Sequence, residues 1–301
     1  MKFTLFTAVL LAANLVMIPS SRAQVPSTPE TEKGFTEIET FQGTLNSSGK
    51  LLKIDSQLGY NFNQHFDVFT GLPLYVTNVS TSSTGTTSTP TGTQSGIGNL
   101  YLGFNLRAPN PRLNYGTTVT AGAPTGDASK GLSTGRATID WNNHFDRTFG
   151  LLTPYLDAGL SNTVPDSILI TRPFTSLGKI GHFEEGVEIQ LPHSFTAGAS
   201  GYEIAPMGTQ KIYSKVLRAQ AGQTSGTGRS GRSGNSFQTA PVTSGSDLTR
   251  ENGVNTWFAF QPTELWRAEI GYSRSATFDL NSLTFNLGLN VGKLLRSDRR
   301  K

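Results

Sequence analysis

The residues with the strongest claim to chemistry are one serine, two glycine-rich runs and the histidines. The segment GAPTGDASKGLSTG, Gly122 to Gly135, ends in GLSTG, which matches the G-x-S-x-G pattern of serine hydrolases around Ser133. That pattern works only where a strand precedes the serine and a helix follows it, because the sharp turn between them exposes the hydroxyl. GTGRSG, Gly226 to Gly231, satisfies G-x-G-x-x-G letter by letter. It cradles a phosphate only inside a βαβ unit. His65, His144, His182 and His193 show no H-x-x-x-H or H-E-x-x-H spacing, and the chain has no cysteine, so no zinc ligand set is apparent. The residues call for no metal and no cofactor. Whether any of these groups reacts depends on the elements that carry it.

Those elements are strands. Apolar residues alternate with polar ones from one end of the chain to the other, and no useful window shows helical spacing. In LTFNLGLNVG, Leu283, Phe285, Leu287, Leu289 and Val291 share one face. In NLYLGFNLR, Leu100, Leu102, Phe104 and Leu106 do the same. The pattern predicts strands over 35–45, 51–60, 66–77, 97–107, 113–123, 136–146, 151–161, 179–191, 194–204, 253–261, 265–274 and 282–293. Most run to about ten residues, the length a tilted strand needs to cross a bilayer. Strands of soluble sandwiches are usually about five or six residues long.

The connections fall into two classes. Alternate ones are short, such as NFNQH and APNPR, while 78–96, 124–135, 162–178 and 205–252 are long and rich in Gly, Ser and Thr. Outer-membrane barrels show this asymmetry of tight periplasmic turns and long external loops. Charge is segregated to match. The apolar faces of the clearest strands carry no charge across their middles, while the opposite faces carry Lys53, Asp55, Asp67, Arg107, Asp140, Asp157, Arg267 and Glu269. An Arg or Lys facing lipid at the midplane costs about 2–4 kcal/mol, which enforces such a division. A soluble sandwich or lipocalin-like barrel would instead crowd its outer face with Lys and Glu, whereas here that face is Asn, Thr, Gly and Tyr.

The expected fold class is therefore all-β, a transmembrane antiparallel up-and-down β-barrel of about twelve strands. Residues 1–23, MKFTLFTAVLLAANLVMIPSSRA, have the charged start, apolar run and small-residue end of a secretory signal peptide cut before Gln24. Its removal takes Lys2 and Arg22 and lowers the formal net charge from +4 to about +2, too near balance to argue for nucleic acid. Residues 24–34 form an N-terminal periplasmic linker, 35–293 the barrel and 294–301 a basic tail. Outer-membrane lipids, lipopolysaccharide and the barrel-assembly machinery are the expected partners, together with a small-molecule solute.

In this frame Ser133 lies in a Gly-rich loop with no helix after it, so GLSTG reads as a chance match. GTGRSG falls in the loop 205–252, which is basic through Lys211, Lys215, Arg218, Arg229, Arg232 and Arg250, and whose KIYSKVLRAQ segment could form a short helix. The expected lumen-lining residues are Lys53, Asp55, Asp67, Tyr101, Asn105, Arg107, Asp140, His144, Asp157, Glu184, Glu188, Arg267 and Glu269. His144 is expected beside Asp140 and Asp146. Glu184 and Glu188 could pair across the lumen with Arg107, Arg267 or Lys53, or form a selectivity constriction. A hydrolase would need Ser133 or Ser200 beside His144, and a closed barrel would act through its loops alone.

GIGNLYLGFNLR followed by GAPTGDASKGLSTG resembles the outer-membrane barrel family associated with the meta-pathway of phenol degradation. The matching core runs from about Gly96 to Leu160. The resemblance implies a barrel channel for small, often aromatic or hydrophobic, compounds. Pro124, Thr125, Gly126 and Asp127 match the family's external loop motif, where the resemblance implies turn chemistry. Asn99 stands where an Asp is commoner, and the chain does not end its last strand on an aromatic residue.

Overall fold

Period-two alternation over this length leaves each strand with one apolar and one polar face, and a closed sheet is the arrangement that sorts all of them at once. The structure, a computed structural model, describes residues 33–46, 49–79, 93–166, 172, 174–214, 242–244, 250–277 and 279–298. Its strands are β1 (Gly34–Asn46), β2 (Gly49–Asn63), β3 (Phe66–Val79), β4 (Thr93–Ile97), β5 (Tyr101–Ala108), β6 (Asn114–Gly122), β7 (Thr138–Asp146) and β8 (Leu152–Ser161). There follow β9 (Phe174–Leu177), β10 (Ile180–Leu191), β11 (Phe195–Pro206), β12 (Gln210–Ser214), β13 (Val242–Ser244), β14 (Glu251–Thr263), β15 (Trp266–Ser275) and β16 (Leu280–Asn290). A helix, α1 (Val291–Asp298), comes last.

Each wall strand pairs antiparallel with its neighbour in sequence, and β1 pairs with β16 from Ile38 and Asn290 to Asn46 and Ser282. That last ladder closes the sheet. β4 and β5 both pair with β3 and form two halves of one strand, so the wall has twelve strands. The fold is a transmembrane-type antiparallel up-and-down barrel.

The barrel is inverted relative to a soluble protein. Leu58, Leu102, Trp141, Leu156, Leu160, Ile270 and Phe285 are exposed on the outer face, while Thr44, Asp67, Thr153, Asn255 and Thr284 are buried within. Rings gather at the short-turn end of the outer face, where Phe35, Tyr60, Phe62, Phe66 and Phe104 follow one another at centroid distances of 4.8 to 6.3 Å. Phe195, Phe260 and Trp266 continue this girdle on the far wall, as interfacial aromatics do in outer-membrane barrels. Polar outer-face groups are satisfied locally. Trp141 Nε1 donates to Thr117 Oγ1 at 2.8 Å and Tyr115 Oη to Asn143 Oδ1 at 2.8 Å. Four carboxylates, Glu37, Glu39, Glu185 and Glu203, depart from the segregation. Glu39 faces outward and accepts from Ser56 at 2.8 Å, and Glu185 faces outward opposite Leu156. Carboxylates are tolerated there better than Arg or Lys.

Three expectations change. The last strand ends at Asn290, short of 293, because β1 offers its final partner at Ile38. The chain then turns into α1, with Asn290 Oδ1 accepting from Lys293 N at 3.0 Å and Lys293 Nζ reaching Glu264 at 2.7 Å. The tail's first residues, 294–298, thus belong to that helix. The start of KIYSKVLRAQ is strand β12, where a helix was expected. Ile212 is buried with Val164, Ile180 and Ile204, and β12 pairs with β9 and β13 in a small sheet. Residues 1–32, the rest of KIYSKVLRAQ and GTGRSG lie outside the described residues.

Phe285 sits midway along β16 on the outer face. Phe285→Arg is expected to cost about 2–4 kcal/mol of folding stability, as an arginine does at the bilayer midplane. A denaturant titration of the barrel in liposomes reads this, and an unchanged midpoint would place Phe285 away from lipid.

Candidate lumenal site

Filling a narrow polar lumen without blocking it requires the large inward side chains to lie against the wall. Here the strand register supplies the space. Tyr101 stands directly opposite Gly71, Phe69 opposite Gly103, Tyr155 opposite Gly186, Tyr202 opposite Gly253 and Trp257 opposite Gly198. In each pair a Cβ added to the glycine would overlap the ring facing it. The ring therefore lies flat across the neighbouring strand rather than projecting inward. Tyr155, Tyr202 and Trp257 form one buried cluster on this wall.

The charged residues pair along the wall. Near the short-turn end, Asp67 forms an ion pair with Arg107 at 2.6 Å and accepts from Asn105 Nδ2 at 2.8 Å, and Asn105 Oδ1 accepts from Thr118. Arg267 donates to Glu269 at 2.7 Å, and Gln190 donates to Glu188 at 3.1 Å. Midway, Asp55 takes Lys53 at 3.0 Å and the Tyr101 hydroxyl at 2.9 Å. His144 stands between Asp157 at 3.0 Å and Asp146 at 3.3 Å, and Asn142 Nδ2 donates to Asp157 at 2.9 Å. Glu184 accepts from the Tyr155 hydroxyl at 3.0 Å and the Ser200 hydroxyl at 2.6 Å.

Two expectations are corrected by this geometry. Asp140 belongs to His182 Nε2 at 2.8 Å, so the partners of His144 are Asp146 and Asp157. The ion pairs of Lys53, Arg107 and Arg267 run to Asp55, Asp67 and Glu269 on the same or the adjoining strand, so of the two roles left open for Glu184 and Glu188 the pairing with these cations across the lumen is not the one seen. Residues two apart on one strand share a face and lie about 7 Å apart, within reach of long side chains. The opposite wall is farther.

Sequence reasoning missed several residues of this interior. Tyr155, Tyr202 and Asn255 lie on the inner face of strands it had located, so their parity was available as a signal. Arg172 and Asp166 come from a loop and gave none. Arg172 Nε donates to Glu251 at 2.9 Å, the Tyr202 hydroxyl donates to Glu251 at 2.7 Å, and Tyr75 donates to Asp166 at 3.4 Å. This buried mouth cluster narrows the long-loop end. Ser133 Oγ accepts from Gly135 N at 3.0 Å and Ser200 donates to Glu184, so both hydroxyls are engaged away from His144.

The two motif pieces, GIGN and PTGD, meet as one unit. Pro73 has no N–H to give the ladder, and opposite it Gly98 to Leu100 form a bulge between β4 and β5. Onto this bulge the loop folds back: Leu100 N donates to Thr125 Oγ1 at 2.7 Å, and Gly126 N donates to Asn99 Oδ1 at 3.3 Å. A Cβ on Gly126 would meet the Gly98 backbone at 2.8 Å. Pro124, Thr125 and Gly126 thus press the loop against the wall, and Leu132 is carried into a buried cluster with Leu51 and Tyr75. Asp127 caps the short helix Ala128–Lys130. The Ser129 hydroxyl, at 2.6 Å, does most to hold the Asp127 carboxyl below its ordinary pKa, against slight desolvation; the Ser129 and Lys130 amides and Lys130 charge add to it.

The fold and interior define a class, a twelve-stranded membrane barrel with a charged lumen. No protein-family model matches the chain, and no curated protein matches it by sequence. Among solved structures it is similar to an outer membrane channel from Pseudomonas putida F1, with a TM-score of 0.55 and 12% identity over 90% of this chain and 98% of that one. It also aligns with the toluene transporter TodX of Pseudomonas putida at TM-score 0.41 and 8% identity, over 87% of this chain and 89% of that one. The KdgM porin aligns at 0.44 and 7%, over 84% of this chain and 98% of that one.

Two outcomes follow. Gly198→Val displaces the Trp257 ring and is expected to cost about 1–3 kcal/mol, with loss of near-ultraviolet circular dichroism from the Tyr155 and Trp257 pair. An unchanged spectrum would refute the packing argument. A carboxyl whose folded pKa is depressed stabilises above its unfolded value of about 3.9 and stops doing so as pH falls through the lower folded value. Protease nicking of 123–137 should therefore rise on acidification below about pH 3.9. Asp127→Asn should show the higher rate at every pH.

Proposed function

We propose that this chain is exported by its N-terminal signal peptide and acts in the outer membrane as a passive channel for small solutes. One observation carries the reading. A barrel with an apolar outside encloses a cavity of about 430 Å³ lined by Lys53, Asp55, Tyr101, Asp140, Asp157 and Glu184. A closed structural barrel has no use for charges whose burial costs stability. Twelve strands lie between the filled interior of eight and the wide channel of sixteen to eighteen, which favours a narrow, selective path. The fold shared with the Pseudomonas putida F1 channel supports the same reading.

Kinship with the phenol meta-pathway barrels belongs to this proposal, supported by the docking of Thr125 and Gly126 on the Gly98 to Leu100 bulge. Aromatic or hydrophobic solutes rest on that kinship alone. The charged lining favours polar ones. Insertion of the barrel into lipid, with lipopolysaccharide at its long loops and help from the assembly machinery, completes the reading.

The refolded protein, its barrel verified by a heat-sensitive shift in gel mobility, is expected to give small discrete conductance steps in a planar bilayer. Leu132→Ala should enlarge the steps, because Leu132 lines the cavity from the folded-in loop. A verified barrel with no steps would overturn the channel reading.

A further inference from the structure

The lumen wall carries one stretch where two carboxylates face each other without a lysine or arginine between them. Asp157 on β8 stands directly opposite Glu184 on β10. Like charges at facing positions, with side chains roughly 5 Å apart, destabilise a sheet. Neither carboxylate has a lysine or arginine beside it among the described residues. Asp157 has His144 and the Asn142 amide, and Glu184 has two neutral hydroxyls.

The flanks repeat the theme. The Ser200 hydroxyl gives its hydrogen to Glu184 at 2.6 Å, so its oxygen accepts from Asn255 Nδ2 at 3.2 Å. That fixes the amide and leaves Asn255 Oδ1 without a partner, in a residue 1% exposed that lines the cavity. Asn142 is fixed in the same way: its nitrogen must face the Asp157 carboxylate, and its Oδ1, also buried, has no donor. Buried acceptors are normally satisfied. Neither the Glu184 carboxylate nor the two orphan amide oxygens has a positively charged donor, and the facing Asp157 has only His144.

We infer that Asn142, Asp157, Glu184 and Asn255 form a binding band for a small organic cation bearing N–H donors, such as a primary ammonium. The acceptors lie on β7, β8, β10 and β14, with β11 between the last two, and neighbouring strands are about 4.8 Å apart, too wide for one bare metal ion to gather. An ammonium group sits between the facing Asp157 and Glu184 carboxylates, with the amide oxygens of Asn142 and Asn255 as flanking acceptors farther along the wall. His144, between Asp146 and Asp157, faces the same side. The band depends on the channel reading only for its role in permeation.

The test uses the refolded full barrel with Trp141→Phe and Trp266→Phe, leaving Trp257, two residues from Asn255, as reporter. Titration with butylammonium at constant ionic strength is expected to give a saturable fluorescence change. Tetramethylammonium, which has charge but no N–H, should give none. Glu184→Gln and Asp157→Asn should each weaken binding at least tenfold while retaining the heat-sensitive mobility shift. Equal response to tetramethylammonium, or unchanged binding in both variants, would overturn the band. Bilayer recordings separate the two readings: binding without conductance removes the channel alone, and conductance with no butylammonium response removes the band alone.

Discussion

Closure of the sheet governs everything else in this molecule. Lipid offers no hydrogen bonds, so a spanning wall must pair every backbone group within itself, and an open edge is excluded. The ladder between β1 and β16 removes the last edge. Once the wall is closed, each strand has an outside and an inside, and period-two alternation decides which residue meets lipid. The apolar side chains that would form a core in water are spent on the outer face, and the interior must be built from polar groups.

A polar interior brings its own requirement, since an unsatisfied buried group costs about 1–3 kcal/mol. The wall meets it locally. Arg107 with Asp67, Lys53 with Asp55 and Arg267 with Glu269 each pair within one strand or with the next. The facing glycines do the steric half of the task, letting Tyr101, Tyr155, Tyr202 and Trp257 lie flat. Together these two devices hold the large and the charged side chains against the wall. The stretch around Asp157 and Glu184 stands out because two carboxylates face each other there with no lysine or arginine beside them among the described residues.

Much of this was legible in the sequence for a definite reason. Alternation in β5, β8, β15 and β16 reports lipid exposure directly, and turn length reports which end a connection occupies. The thirteen expected lumen residues were read from parity in this way. What the sequence hid was partnership. Parity places His144 and Asp140 on one face but cannot say that the register hands Asp140 to His182. Nor can it show that PTGD folds back on the bulge opposite Pro73, because that contact joins residues far apart in sequence through backbone geometry. Arg172, from a loop with no period at all, left no trace of its pairing with Glu251.

The sign of the charge inside differs from the sign of the chain. The sequence is basic, with a formal net charge of +4, yet along the described inner wall carboxylates outnumber lysines and arginines. Much of the positive excess lies in residues 207–250, in the sequence between wall strands β11 and β14. A narrow, low-dielectric passage focuses the field of its own lining, so a permeating solute responds to the carboxylates of the wall more than to the net charge of the protein. A basic isoelectric point is therefore compatible with a lumen that favours cations, and the two describe different parts of the same molecule.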